Sequence, residues 1–391
     1  VQRSTGIALM QRALRVLETR SPEMADHYLR IPLDYYRDPV LDERERRLFE
    51  TEPLALLAAN EIAHPYDYVV RDAVGRSVLL TRDEDGRAHA FLNYCRHRGA
   101  ETASGCGQRR GFVCPYHGWT YDSKGRLIGL PLQDRYSDLD RERLGLVELP
   151  LEERHGFLWV VLTPGAPIDV AMHLGELDAE LASLGIERMH YFNALPGEPL
   201  AAGWKCVAEG LLEGLHVPFV HKGTFDQNPQ APGVDLAFYD QIGSHVRYGM
   251  PVFGPDEVER IRATPESEWE PERQVGCIWW ISPGMLLANE LYGLIYADLT
   301  PARDLHHSHF RYGWLSPTLD APDAMPRPEE MAERAAVAVR QDKPVWEGCW
   351  RGIVNGAHES MQIGRNEKGV QLFHAMHAQR VGYEGLRYSD S

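Results

Sequence analysis

The sequence predicts an α+β fold in two parts: an N-terminal all-β domain, then a larger mixed domain of strands and a long helix. Three observations predict it. Short β-rich runs separated by turn dipeptides crowd residues ~50–165. The stretch Thr163-Pro-Gly-Ala-Pro167 then reads as a linker. Beyond it, helical texture gives way to strand-like runs and finally to one long helical pattern.

The elements follow in order. Residues 1–45 read as a helical segment packing on the body, with Ile7, Leu9, Met10, Leu14 and Leu17 at helical spacing between Arg12, Arg15 and Glu18. The β domain is set at 46–165. Its runs are Tyr66–Arg71, Ser77–Arg82, Ala88–Tyr94, Gly111–Cys114 and Gly156–Leu162, with turns at Asp85-Gly86 and Lys124-Gly125. The second domain, 166–391, opens with helical texture over ~168–225. Strands are expected at His245–Tyr248, Cys277–Ile281, Leu291–Thr300 and His306–Leu315, and a helix from ~Pro328 to ~Gly352.

Composition bounds the function. The 391 residues carry 41 Lys plus Arg against 57 Asp plus Glu, a net charge of −16. Nucleic acid and anionic membranes need a basic footprint, so neither is an expected partner. No apolar run approaches the ~18 residues that span a bilayer. No charged start, apolar stretch and small-residue cleavage site mark a signal peptide, so a cytoplasmic protein is expected. Six Cys are too sparse for a disulfide scaffold. In a reducing compartment, Cys beside His reads first as a metal ligand.

Two constellations answer that description. In the β domain, Cys95-Arg-His97-Arg and Cys114-Pro-Tyr-His117-Gly-Trp form two short chelating loops. Two thiolates and two imidazoles suit a structural zinc ion or a [2Fe–2S] cluster with Cys on one iron and His on the other. A zinc finger pairs Cys with Cys and His with His, whereas each loop here carries one of each. The remaining Cys106, Cys206, Cys277 and Cys349 read as packing residues.

The second constellation lies in residues 204–221. Glu213 and His216, three apart, share a face on a helix. His221 is off that face unless Pro218 kinks the helix and turns it back. Two imidazoles and a carboxylate make the facial triad of non-haem iron oxygenases, with positions left open for dioxygen and substrate. By itself a His-x4-His pair also fits two ordinary histidines.

The wording Asn93-Tyr-Cys-Arg-His-Arg-Gly99 and Cys114-Pro-Tyr-His-Gly-Trp-Thr-Tyr-Asp122 closely resembles the Rieske non-haem iron aromatic-ring-hydroxylating oxygenases, catalytic α subunit. Trp204-Lys205, Glu209, His216 and His221 match the same family. The resemblance implies an all-β Rieske [2Fe–2S] domain and an α+β catalytic domain with an antiparallel, helix-grip-like sheet. It implies a cluster on Cys95, His97, Cys114 and His117, and a mononuclear Fe(II) on His216, His221 and an Asp from a late helix. Asp342, in Arg340-Gln341-Asp342, fits best, with Glu347 and then Glu333 as fallbacks. Pro344 suggests that Asp342 lies at the helix entrance.

Glu213 takes the place of an acid that bridges a Rieske His of one subunit to an iron His of its neighbour. Most members carry Asp there, whereas quaternary-amine members can carry Glu. Gly210 stands where many members carry Asn. The implied function is the terminal component of a multicomponent oxygenase, using O2 to hydroxylate a small aromatic substrate. Electrons from NAD(P)H arrive through a separate reductase, with or without a ferredoxin. No Gly-x-Gly-x-x-Gly fingerprint follows a strand to supply them internally. A homotrimer is implied, which a β subunit can join. Two other readings stay open: a monooxygenase or N-demethylase of a quaternary amine or betaine, and a Rieske electron carrier without oxygenase activity. Trp279, Trp280, Met285, Leu287, Asn289 and Tyr292 are candidates to line a substrate pocket, with plain core packing the favoured reading for most of them.

Overall fold

Alternate side chains of a strand face opposite sides of its sheet, and that rule organises both units of this chain. The computed structural model describes residues 3–136, 139–195, 197, 199–222, 236–290, 292–317 and 327–389. Contacts divide it into a β unit, residues 47–173 with 302–304, and a catalytic unit, residues 1–46, 174–301 and 305–391.

In the β unit, a five-stranded antiparallel sheet runs in the order Glu148–Leu149, Ala88–Leu92, Arg76–Arg82, Asp67–Ala73, Cys106–Gln108. A three-stranded sheet pairs Phe157–Val160 with Leu54–Ala58 and Leu151–Arg154. Another joins Gly111–Val113, Thr120–Asp122 and Leu127–Gly129. Tyr68, Leu79, Phe91, Phe112, Trp119 and Tyr121 form a core cluster that also encloses Cys95 and Cys114. The unit continues past the Thr163–Pro167 stretch to His173. Glu152 Oε2 accepts the Val170 N–H at 3.0 Å, and His173 Nδ1 lies 3.0 Å from Glu52. These polar contacts hold the segment after the turn, so the composition break and the structural boundary differ by eight residues.

The catalytic unit is built on an antiparallel sheet. Its spatial order is His190–Leu195, Ser308–Ser316, Gly293–Pro301, Met285–Glu290, Val275–Ile281, His245–Pro251, Phe238–Ile242, with Pro199–Leu200 also pairing Ser308–Ser316. Leu291, where the sequence would start a strand, lies outside the described residues. The register puts Tyr248, Ile278, Trp280, Leu286, Ala288, Glu290, Ile295, Tyr312 and Trp314 on one face. That face receives two helices: Phe310 meets Trp346 of Pro328–Val354, and Trp280 meets Phe373 of Lys368–Val381. On the opposite face, Arg12 of helix Arg3–Thr19 bonds Asp240, and Glu180 accepts from Trp279 and Arg247.

Three local readings change. The first 45 residues are not all helical: Leu29–Pro32 is a strand between Ser360–Ile363 and Arg387–Tyr388. Its partners lie more than 300 residues away, which no local pattern reveals. His190–Leu195 is a strand within a stretch of helical texture, and its side chains stay mostly half-buried, so it shows no clean alternation. Pro344 sits inside a 27-residue helix rather than near its start. Asp342 therefore stands at mid-helix, where the helix dipole gives a carboxylate no support. Among the described residues no helix is long and apolar enough to cross a membrane.

Candidate metal centres

The two loops of the β unit share one backbone design. Cys95 N–H donates to Ala100 O, and Gly99 N–H returns to Cys95 O. Cys114 N–H donates to Trp119 O, and Gly118 N–H returns to Cys114 O. Gly99 and Gly118 close the loops at φ 76° and 72°, left-handed values that other residues adopt only with strain. Each loop so holds its Cys inward and presents a His two or three residues later.

Cys95 and Cys114 are buried and unbridged. Burial, with the Cys114 thiol alongside, pushes the Cys95 thiol pKa up, although a contact from Tyr121 partly offsets this. The Tyr121 hydroxyl lies 3.4 Å from Cys95 Sγ and accepts the Arg96 N–H at 3.0 Å. The His97 and His117 rings lie 4.6 Å apart, and His97 stacks on buried Trp119 at 4.9 Å. Burial, then His117 and Arg98, lowers the His97 pKa and keeps its ring neutral, the form that binds metal. His97 Nδ1 is buried with no hydrogen-bond partner. A buried orphan nitrogen is costly in a finished protein and is satisfied by coordination. Among the described residues, the one three-donor group close enough for a single ion lies elsewhere. The four loop donors thus suit a cluster with two irons better than one zinc ion.

That other group is His216, His221 and Asp342, whose donor atoms lie within 4.8 Å of one another. The ligand segment reaches this geometry differently from the continuous helix that the sequence suggests. Helix Trp204–Leu211 ends, a turn at Leu215 and His216 is closed by the Val217 N–H on Gly214 O, and a short helix Val217–Val220 begins. Glu213 Oε2 accepts the N–H groups of Leu215 and His216, so its carboxylate fixes the turn. Pro218 stands in the first turn of the new helix and does not kink an old one. His216 and His221 cap the two ends of that short helix, with ring centroids 5.2 Å apart.

Asp342 Oδ1 lies 3.1 Å from His221 Nε2 and 3.7 Å from His216 Nε2. The opposite nitrogens are tied: His216 Nδ1 bonds Glu213 Oε1, and His221 Nδ1 lies 2.9 Å from Gln341 Oε1. An acceptor at each Nδ1 places the proton there and turns the Nε2 lone pair toward Asp342, as metal-binding imidazoles require. Burial opposes a charge on His221, but Asp342 and Gln341 outweigh it and raise its pKa. The space between these three groups favours positive charge. The donor set fits Fe(II).

Of the fallback carboxylates, Glu347 accepts the Ala201 N–H at 3.2 Å and Glu333 pairs with Arg340, so neither joins the group. Gly210 has a local reason: a Cβ there would lie 2.3 Å from Trp346 Nε1, one turn after Asp342. The Trp indole occupies the space that a side chain at 210 would need. Gln341 and Tyr121 were missed as functional residues. Gln341 adjoins Asp342, and Tyr121 lies two residues past Trp119 on a strand, but only the tertiary fold aims them at His221 and Cys95. Cys106 and Cys349, expected to pack, are exposed, whereas Cys206 and Cys277 are buried. Of the six expected pocket residues, Trp280 alone is on the face that holds the helices. Trp279, Met285, Leu287 and Asn289 face the other way, and Tyr292 lies in a turn. Reading them as one set ignored the two-residue period.

Residues 52–148 match the Rieske [2Fe-2S] domain, and residues 179–383 match the ring hydroxylating alpha subunit (catalytic domain). The carnitine monooxygenase oxygenase subunit of Escherichia coli K12 is 29% identical over 206 residues, 50% of this chain and 53% of that protein. The large oxygenase component of the naphthalene 1,2-dioxygenase system of Ralstonia sp. is 33% identical over 196 residues, 45% of this chain and 43% of that protein. These matches thus span about half the length of the relatives or less. A solved quaternary ammonium Rieske monooxygenase, described with carnitine oxidation and inter-subunit electron transfer, superposes with a TM-score of 0.74. It is 20% identical, and the match covers 92% of this chain and 97% of that one, a likeness of fold. With its catalytic-domain match spanning just over half the sequence, the chain belongs to the ring-hydroxylating alpha subunit family and carries a Rieske [2Fe-2S] domain.

Proposed function

We propose that this chain is the terminal oxygenase of a multicomponent system that hydroxylates a small organic molecule with O2. Electrons come from NAD(P)H through a separate reductase, directly or by a ferredoxin. Cys95, His97, Cys114 and His117 hold the [2Fe–2S] cluster, and His216, His221 and Asp342 hold Fe(II). When bound, the cluster supplies single electrons and the iron supplies reductive activation of dioxygen. The carrying observation is the convergence of His216 Nε2, His221 Nε2 and one Asp342 oxygen, with Glu213 and Gln341 engaging the far nitrogens. An electron carrier has no use for such a group.

The protein's own residues do three things. Glu213 and Gln341 hold the Nδ1 protons and set both ring orientations. Trp119 stacks on His97 and screens the loop donors from water on that side. Glu213 is the contact through which electrons cross from a neighbouring subunit's Rieske unit, in a homotrimer that a β subunit can join. Asp342→Ala tests the assignment: the visible spectrum of the cluster stays and mononuclear iron and turnover disappear. Retained iron and turnover would remove Asp342 from the site.

A further inference from the structure

We infer that Cys206 and Cys349 are a redox-sensitive pair: a peroxide oxidises them to a disulfide that ties the helix leading into His216 to the helix carrying Asp342. The tie slows escape of iron from between the two helices. The cross-link needs no metal, and only its effect on iron rests on the oxygenase reading.

Three contacts set helix Trp204–Leu211 against helix Pro328–Val354. At one end, a Cβ on Gly203 would meet the Trp350 ring at 2.7 Å; at the other, a Cβ on Gly210 would strike the Trp346 indole. Between them, Cys206 Sγ lies 3.7 Å from Trp346 O. The short helix thus runs antiparallel to the long one, with Cys206 opposite residues 346–350. Cys349 belongs to that stretch and stands at its solvent edge: Trp346 and Trp350 are buried, and Cys349 is exposed. Gly203 and Gly210 let the two backbones approach, as a disulfide requires of Cα atoms about 4.4–6.8 Å apart. Short helical side chains also reach back to the preceding turn. Thr19 and Thr51 each place Oγ 3.5 Å from the carbonyl oxygen three residues earlier. In that rotamer Cys349 Sγ comes close to Trp346 O, the oxygen that Cys206 Sγ already meets.

The chemistry is a two-electron oxidation by hydrogen peroxide. Cys349, the exposed thiol, attacks the O–O bond, becomes a sulfenic acid and releases one water. The Cys206 sulfur then displaces the hydroxyl as a second water, and the S–S bond forms. The peroxide takes two electrons, and both thiol protons leave in the waters. Surrounding protein and then Glu209 raise the pKa of both thiols, which keeps them protonated and slow. The pair therefore stays reduced until peroxide is sustained, as suits a transient disulfide in a reducing compartment. Cys349 lies two turns past Asp342, and the helix of Cys206 runs on toward Glu213 and His216. Joining them restrains the separation of the ligand-bearing elements that release of a metal requires.

The test is peptide mapping of the intact protein after graded hydrogen peroxide, at doses that leave the visible spectrum of the cluster unchanged, followed by catalase and thiol blocking. A peptide linking Cys206 to Cys349 should accumulate, and dithiothreitol should remove it. Cys106, exposed on a strand of the β unit, is the control and should join neither. The oxidised protein should release iron to a ferrous chelator about ten-fold more slowly than the reduced one. Cys206→Ser and Cys349→Ser should each abolish both the linked peptide and that difference. No linked peptide in wild type, or links to Cys106 in its place, overturns the inference even if neither variant folds. A linked peptide with unchanged iron release overturns the clamp. A protein that never holds mononuclear iron refutes the oxygenase reading instead, and the mapped peptide still decides the pair.

Discussion

Lys205→Met perturbs the scaffold beneath the triad most sharply. Lys205 and Glu45 are 5% and 2% exposed. The ammonium bonds the Glu45 carboxylate and the Tyr35 carbonyl, and sits 4.2 Å from the Tyr35 ring centroid. Glu45 also accepts the Trp204 indole N–H at 3.0 Å and lies 3.2 Å from His377 Nε2. Burial alone would raise the Glu45 pKa. The Lys205 charge, and then His377, outweigh it and bring the pKa to about 2 from an ordinary 4.5. That difference corresponds to about 3 kcal/mol of preference for the ionised form. Removing the ammonium leaves a buried carboxylate unpaired, at a cost of about 3–5 kcal/mol. Glu45→Gln added to Lys205→Met should recover about 2 kcal/mol or more, because no charge is then left behind. Trp204 and Lys205 open the helix that leads into Glu213 and His216, so Lys205→Met also loses mononuclear iron faster under chelator. Urea unfolding at fixed pH and chelator-release kinetics read both effects. The folded pKa lies below the unfolded one, so the pair's stabilisation is complete above about pH 4.5 and fades as pH falls toward 2. The gap between wild type and Lys205→Met should shrink over that window. A Lys205→Met protein that unfolds within about 1 kcal/mol of wild type would refute this role for the pair, and so would a double variant no more stable than the single.

Gln341→Leu removes the acceptor at His221 Nδ1, and Fe(II) affinity should fall about 10- to 100-fold while the visible spectrum of the cluster is unchanged. Equal affinity in a chelator competition would strip Gln341 of its positioning role. Tyr121→Phe takes a hydrogen-bond donor from Cys95 Sγ, so the cluster potential should move to a more negative value in a redox titration; an unmoved potential argues against that contact. Gly210→Asn drives a side chain into Trp346, and the double variant Gly210→Asn with Trp346→Ala should hold iron better than Gly210→Asn alone. If the second change gives no relief, the collision is not what limits position 210.

Sequence order governs what could be read in advance. Cys95, His97, Cys114 and His117 sit in two tight loops, so spacing and Gly99 and Gly118 display their chemistry locally. His216 and His221 also lie within one short segment, although the break at Glu213 was invisible because its cause is a side-chain bond to Leu215 and His216. Asp342 could be singled out only by wording, since 121 residues separate it from His221. Pro344 then misled: a proline that the surrounding helix tolerates looks in sequence like a helix start. The faces taken by the pocket candidates were the least legible feature. Which face a residue such as Trp279 or Glu290 occupies depends on strand register, and register is fixed by partners far along the chain. Leu29–Pro32 makes the same point, as a strand by virtue of Ser360–Ile363 and Arg387–Tyr388.

The central claim, a two-iron cluster and a separate iron in one chain, is tested most directly by iron, zinc and acid-labile sulfide assays on anaerobically purified protein, with EPR after reduction. About three irons and two sulfides per chain are expected, with a Rieske-type signal. Zinc in place of iron and sulfide, or about two irons with no gain on adding Fe(II), would contradict it.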